Sequence, residues 1–436
     1  RLRPRCFHDL VVEVALIRPG PIQGDMVHPY LRRRQGKEEV TYAHPSLRPI
    51  LERTLGIPLF QEQAMQMAIA TAGFTPGEAD RLRKVMGFKR GTEEMEALFA
   101  KMVAGMEANG FPRKVAEDIR GQLRGFAAYG FPESHAASFA LIVYASAWLK
   151  RYHPGVFAAA LLNCQPMGFY SAATITADAR RHGVTIRGVC CNRSDQRWTV
   201  EDDRVIRAGL MQLKGFGEEH GIAIEEARRA GGPFLDVADL CDRVGLDRGR
   251  LETLARAGAM DCLGVDRRQA LWLVAGWRRR LPLEAPQRQM ALPGFVALGE
   301  AEANLLDHAV AGFSAARHPM SFLRDALAER GMRSSAGLLS LRAEQAVATA
   351  GVVIARQRPG TAKGTFFLTL EDEEGFINVI VWPQSYERHR NLLRSVRLLA
   401  VTGRVQLTDG VVQVLATGFS DLLHDEELRG LLDGEE

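Results

Sequence analysis

Arg81, Arg83 and Lys84 fall within four consecutive positions of the run RLRKVMGFKR. Adjacent guanidinium and ammonium groups at that spacing can neutralise a polyphosphate or a nucleic-acid backbone. A solvated cationic helix face is the other reading of the same residues. A second group lies in YGFPESHAASFALIVYASAWLKRYHP, where His135 stands at a helix start just after Tyr129 and Phe131. Free N–H groups at such a start attract an anion that an imidazole could also contact, and the two aromatics could give a base or sugar a flat wall. A hydrogen-bonded core histidine is the alternative.

Each group needs an element to hold it. Thr75 and Glu78 have capping-box spacing with Pro76 as first helical residue, and the helix that follows turns Leu82, Val85 and Met86 to one face. The cations then fan across the other face. For His135, Ser134 is the expected N-cap, and the helix should run through Trp148 and Leu149 to the terminating KRYHP. Its apolar run is shorter than the ~20 residues a bilayer demands. A helix so uniformly apolar is expected inside the core of a large domain.

Further along, LMQLKGFGEEHGIAIEEARRAGG reads as a helix-hairpin-helix, with Gly215 and Gly217 bringing backbone N–H groups to a phosphate beside Lys214. RGRLETLARAGAMDCLG reads as a second. Hairpins used only for packing remain the alternative. From Ala346 the pattern turns to β segments joined at Gly, Asp and Pro, the inventory of a small five-stranded barrel of the OB type. Such sheets stack single-stranded bases on exposed aromatics within a positive groove. Phe366, Phe367, Phe376, Trp382, Arg356, Arg358 and Lys363 are available, and alternation puts some of the aromatics in the core.

Other chemistry finds no support. The acidic runs Glu201-Asp202-Asp203 and Glu371-Asp372-Glu373-Glu374 fall at expected hairpin turns and should be solvated. No Walker loop, Ser/His/Asp arrangement or zinc spacing is present, and no metal ligands are assigned to this chain. The six cysteines, Cys6, Cys164, Cys190, Cys191, Cys241 and Cys262, contain no CxxC and suit reduced thiols in a cytosolic protein.

At 436 residues, 46% hydrophobic and 25% charged, the chain should form several soluble domains, neither disordered nor fibrous. A net charge of +4 from 56 basic and 52 acidic residues is too mild to imply nucleic acid alone, but LRRRQGK and RLRKVMGFKR load the cations toward the front. The expected class is multidomain and mainly α, followed by a small β-barrel OB-fold. The expected division is 1–165, a connecting region 166–205, tandem hairpins 206–277, a linker with helices 278–345, the barrel 346–422 and an acidic tail 423–436.

The runs LRPRCFHDLVVEVALIRPGPI, HPSLRPILERTLGIPLFQEQAMQMA, GFTPGEADRLRKVMGFKR and YGFPESHAASFALIVYASAWLK resemble the fingers of bacterial family C DNA polymerases, the replicase α-subunit family. The resemblance continues through the hairpins and the barrel. NCQPMGFYSAATITADARRHGV and GTAKGTFFLTLEDEEGFINVIVWP resemble its error-prone, damage-inducible branch. One departure is RGVCCNRS, where that family carries a Pro and an Asp before the Asn.

The resemblance implies a DNA-directed DNA polymerase active in translesion synthesis and repair in the bacterial cytoplasm, with no membrane association. It implies that Arg83 and Lys84, with neighbouring Arg81, contact the incoming triphosphate. It places His135, Tyr129, Phe131 and the loop residue Arg18 around the nucleotide. It also implies that the Mg2+ ligands lie in a palm upstream of Arg1, so that this chain is a C-terminal part that binds primer-template DNA and dNTP without extending a primer. QRQMALPG resembles a sliding-clamp peptide anchored by Gln289, Leu292 and Phe295, against the alternative of a plain linker. A Y-family-like accessory protein is a further implied partner. The competing reading is a stand-alone, non-enzymatic nucleic-acid-binding protein built of hairpins and an OB barrel.

Overall fold

The computed structural model describes residues 2–17, 27–87, 92–127, 131–168, 170–278, 294–296, 298–360, 362, 364–408 and 411–433. Two compact units divide the chain: Arg1–Ala147 with Pro359–Lys363, and Trp148–Arg358 with Gly364–Glu436.

The first unit is helical. Helices Gln61–Ala72, Pro76–Gly87, Thr92–Ala108 and Arg113–Ala127 enclose a core of Met67, Leu82, Phe99, Met102, Met106, Ile119 and Leu123. Gly105 lets two of them close up, since a Cβ there would lie 2.3 Å from the Ala72 carbonyl oxygen. The buried amide of Gln63 fastens the preceding loop to its helix. Its oxygen accepts from the Leu59 and Phe60 N–H groups at 2.9 and 3.1 Å, and its nitrogen donates to Ile50 O and Thr54 Oγ1 at 3.1 and 2.8 Å. A second cluster joins Val11, Val12, Tyr30, Leu59 and Phe60 to Ala136 and Ala140 of helix Glu133–Tyr152.

That last helix corrects two expectations. It begins at Glu133, so Ser134 is its second residue and does not cap it. It is not buried either: Ala136 and Ala140 line its inner edge, whereas Leu141, Ile142, Tyr144, Trp148 and Tyr152 are exposed. An apolar composition records what a helix could bury but not whether a partner is there to bury it.

In the second unit a three-stranded sheet, β1 (Thr185–Arg187), β2 (Thr199–Asp202) and β3 (Val205–Arg207), precedes the hairpin helices. β1 runs parallel to the central β3 and β2 antiparallel to it. The helices Glu218–Gly231, Val237–Val244, Arg248–Arg256 and Arg267–Gly276 pack Ile224, Leu240, Leu251, Leu254 and Val274 into one core with Trp198 and Ile206.

The barrel consists of β5 (Ala346–Gln357), β6 (Phe366–Glu371), β7 (Phe376–Val381), β8 (Leu398–Thr408) and β9 (Val411–Asp421), with the short β4 (Met332–Arg333) added beside β5. Long β5 pairs β8 through residues 346–352 and β6 through residues 352–357, and the β6–β7, β7–β9 and β9–β8 pairings complete the ring. This is the five-stranded OB barrel the sequence pattern predicts. Leu368, Leu370, Val379, Val381, Leu399, Val401 and Val414 fill it.

The acidic run at 371–374 does lie at the β6–β7 hairpin, but its first two members are buried. Arg181 pairs with Glu371 at 3.1 Å, and Asp372 accepts from the Ser335 and Gly375 N–H groups at 2.7 and 2.9 Å. Distant partners replace the water that a turn would normally offer these carboxylates.

Candidate nucleic-acid interface

The cationic helix is held at its start by a reciprocal capping box. The Thr75 N–H donates to Glu78 Oε2 at 2.9 Å and the Glu78 N–H to Thr75 Oγ1 at 3.4 Å. Lys101 also contacts the Glu78 carboxylate and, with the Thr75 donors, holds it down at about 2. Leu82 and Met86 are buried, Arg81 and Lys84 are exposed and Arg83 is half-buried.

All three cations have carboxylate partners. Arg81 meets Glu94 at 2.6 Å, while Arg83 and Lys84 both reach Asp80 at 2.8 Å. The hydrogen bonds from Lys84 and then Arg83 hold the Asp80 carboxyl below its usual range. Exposed ion pairs of this kind are weak, so a phosphate that brings several charges can compete for the same donors.

His135 is exposed on helix Glu133–Tyr152. Its ring lies 5.2 Å from Phe131 and 4.7 Å from Phe139, forming a short aromatic ladder. Phe131 is fixed by its backbone, which bridges Phe60 and accepts from the Gln61 N–H at 3.0 Å.

The helix start that a phosphate was expected to use already has an anion. Glu62 accepts the Glu133 N–H at 2.9 Å, and Glu133 itself lies 3.6 Å from Arg53. Arg53 also donates to His8 Nδ1 at 2.7 Å; burial first, then Arg53, lowers the His8 pKa. The structure thus brings His135 beside Phe131 and Phe139, while the helix start meets two carboxylates.

One helix carries both groups. Gln61–Ala72 grips residues 131–133 at its N-terminus and packs along its body against Pro76–Gly87. Sequence reasoning missed the residues that set these positions: Glu62, Asp80, Glu94, Arg53 and His8. Asp80 was detectable, because it stands three and four residues before its partners. Glu62 gave no local signal.

At the first hairpin Gly215 turns with φ of +80° and is exposed, a conformation that favours glycine. Lys214 is tied back, its backbone N–H to Val310 O at 2.8 Å and its Nζ to Ala309 O at 2.5 Å. The Gly217 N–H donates to His220 Nδ1 at 2.9 Å. The barrel resolves which aromatics are available: Phe366 is buried against Tyr386, whereas Phe376 is 46% and Trp382 53% exposed. Arg181 covers the Phe376 ring at 4.8 Å, leaving Trp382 the more open face. Arg356 donates to the Leu393 and Val396 carbonyls, and Arg358 pairs with Glu387 at 3.2 Å while lying over Tyr386. Phe295 packs edge-on to Trp272 at 5.9 Å. Arg18, Tyr129, Gln289, Leu292 and Lys363 lie outside the described residues.

A cavity of about 660 Å³ in the second unit is lined by Arg180, His308, His318 and Glu371 among apolar residues of the barrel wall. Burial pushes Glu371 up to about 7 and His318 down to about 4.

Among the described residues no group of three or more His, Cys, Asp or Glu side chains could hold a metal ion. Glu201 pairs with Arg207 and Arg187, and Arg324 engages Asp372 and Glu373, so these carboxylates do not fit a two-metal site. No helix among the described residues is long and apolar enough to cross a membrane.

Residues 1–110 match the bacterial DNA polymerase III alpha subunit finger domain, residues 183–270 a helix-hairpin-helix motif and residues 347–422 an OB-fold nucleic acid binding domain. The chain is 46% identical to the error-prone DNA polymerase of Methylococcus capsulatus, with 97% of this chain and 42% of that protein covered. It is 50% identical to the error-prone DNA polymerase of Anaeromyxobacter sp. (strain K), with coverage of 95% and 38%. With error-prone DNA polymerase 3 of Agrobacterium fabrum it shares 45% identity, over 100% of this chain and 41% of the relative. The chain therefore spans about two fifths of the length of these relatives.

Proposed function

The chain belongs to the DNA polymerase III α-subunit family, in its error-prone branch, and on that premise we propose that it is the C-terminal, nucleotide- and DNA-binding part of a DNA-directed DNA polymerase used in damage-induced translesion synthesis and repair. In the reaction so assigned, a primer 3′-hydroxyl attacks the α-phosphorus of a dNTP and pyrophosphate leaves. The Mg2+ for that step belongs, in this reading, to carboxylates outside this chain.

The observation that carries the reading is the capped cationic helix and the His135 platform held by one helix within the segment that matches polymerase fingers. Arg83 and Lys84 exchange Asp80 for the triphosphate, Arg81 stands beside them, and His135 with Phe131 and Tyr129 supports the base or sugar. Arg18 borders the same site. Primer-template DNA contacts Lys214, Gly215 and Gly217, and single-stranded template reaches the barrel through Arg356, Arg358 and Lys363. Gln289, Leu292 and Phe295 form a clamp-binding peptide, and a Y-family-like protein acts alongside. The domain division follows the boundaries given above, and the protein works in the bacterial cytoplasm.

Steady-state primer extension with the whole polymerase tests this reading. Arg83→Ala should raise the KM for dNTP by roughly tenfold or more, the effect of losing one charge-assisted hydrogen bond. An unchanged KM would remove Arg83 from the nucleotide site.

A further inference from the structure

The cavity of about 660 Å³ in the second unit has the size of a small-molecule site. Residues of helices Ala172–Arg181, Glu300–Ala311 and Glu426–Asp433 line it together with β5, and every lining residue belongs to that one unit. Phe313, Val352, Ile354 and Leu398 make much of the lining apolar.

Three guanidiniums interrupt that surface, those of Arg180, Arg397 and Arg429. Arg180 is half-buried, while Arg397 and Arg429 are exposed and so stand toward the rim. None of the three is in an ion pair among the described residues. Arg180 donates to the Ser314 carbonyl, a neutral acceptor, and burial lowers its pKa with no acid to raise it. Glu371 is the one carboxylate in the lining, and Arg181 already holds it at 3.1 Å. The imidazoles add donors and not charge. Burial lowers the pKa of His308, and that of His318 to about 4. His318 Nδ1 accepts the Met320 N–H at 3.2 Å, which leaves the ring proton on Nε2.

That lining narrows the ligand. A guanidinium in an apolar wall loses hydration, and buried charges are ordinarily paired. Three cations without a free carboxylate exceed what a single carboxylate ligand neutralises, and the guanidinium fork matches phosphate oxygens. Inorganic phosphate would leave the apolar wall uncovered. We propose that this cavity binds a small organic phosphate ester, its apolar ring against Phe313, Val352 and Ile354 and its phosphate on Arg180, with Arg397 and Arg429 reaching it from the rim. A nucleoside phosphate and a simple aryl phosphate share that chemistry. The site stands whether or not the chain is part of a polymerase.

Isothermal titration of this chain with 1-naphthyl phosphate tests the proposal, with 1-naphthoate, inorganic phosphate and thymidine 5′-monophosphate as comparisons. The naphthyl ester should bind at least about tenfold more tightly than 1-naphthoate or inorganic phosphate, because each lacks one half of the recognised chemistry. Whichever of the two esters binds more tightly supports the site and names its ligand as nucleoside or simple aryl phosphate. Equal binding of 1-naphthoate, or no saturable binding of either ester, overturns the proposal. Hydrogen exchange with each ester bound locates it: slowing should fall on helix Ala172–Arg181 and β5, and slowing confined to the first unit is equally fatal. Arg180→Gln should weaken binding roughly tenfold or more through the lost charge-assisted contact. Arg397→Gln changes an exposed side chain, should leave the melting temperature in place and should weaken binding severalfold. Unchanged affinity in the variants that fold contradicts the assignment.

Discussion

The Arg83 guanidinium lies 2.8 Å from the Asp80 carboxylate three residues before it on the same helix. Lys84 reaches the same carboxylate, so Asp80 competes with any phosphate for both cations. Asp80→Asn should therefore lower the KM for dNTP, opposite in sign to Arg83→Ala. Steady-state kinetics of the two variants in the whole polymerase check this. Parallel changes would mean that the helix only needs its charges balanced.

Glu62 does for helix Glu133–Tyr152 what a local N-cap usually does. Glu62→Ala should cost about 1 kcal/mol of stability, a typical capping loss. It should also raise the KM for dNTP, because residues 131–135 lose an anchor. Glu62→Gln keeps an acceptor and should recover most of both. Denaturant titration and extension kinetics of the pair measure the two effects.

Trp382 and Phe366 should separate binding from folding. Trp382→Ala removes an exposed face and should weaken single-stranded DNA binding by about 1–3 kcal/mol with little change in stability. Phe366→Ala empties part of the barrel core and should cost about 3–5 kcal/mol of stability. Fluorescence anisotropy against a single strand, with thermal unfolding alongside, resolves the two. Salt should weaken wild-type binding through counterion release.

Glu371 and His318 give the second unit opposing pH responses. The folded chain keeps a proton on Glu371 up to about 7, where the unfolded chain has lost it near 4.5, so its contribution to stability falls as pH rises through that window. The size is on the order of 3 kcal/mol. His318 runs the other way, its stability present above 6.5 and lost as pH falls toward about 4. The stability of the wild type relative to Glu371→Gln should accordingly decline from about pH 5 to about pH 8. Urea unfolding at several pH values provides the measurement, and a constant difference would show Glu371 ionised throughout.

Local patterns carried much of this structure. The Thr75–Glu78 box, the buried Leu82 and Met86 face and the five-stranded barrel follow from spacings within a few residues or from alternation along strands. What escaped depends on partners far along the chain. Glu62 stands 71 residues before the N–H it accepts, and Arg181 stands 190 before Glu371. The same physics hid the fate of Lys214, whose ammonium rests on a carbonyl 95 residues away. Periodicity reports which faces are apolar, and tertiary packing decides which of them stay wet.

Gln63 leaves its position with almost no freedom to drift. Both ends of its amide are in use, two donors feeding the oxygen and two acceptors drawing on the nitrogen. Glutamate would set a carboxylate against Ile50 O, methionine would take the acceptor from the Leu59 and Phe60 N–H groups, and asparagine is a methylene too short to reach them. Glutamine is thus the side chain that fits the joint beneath the Phe131–His135 ring pair, and a mutational scan of the first unit should find its least tolerant polar site there.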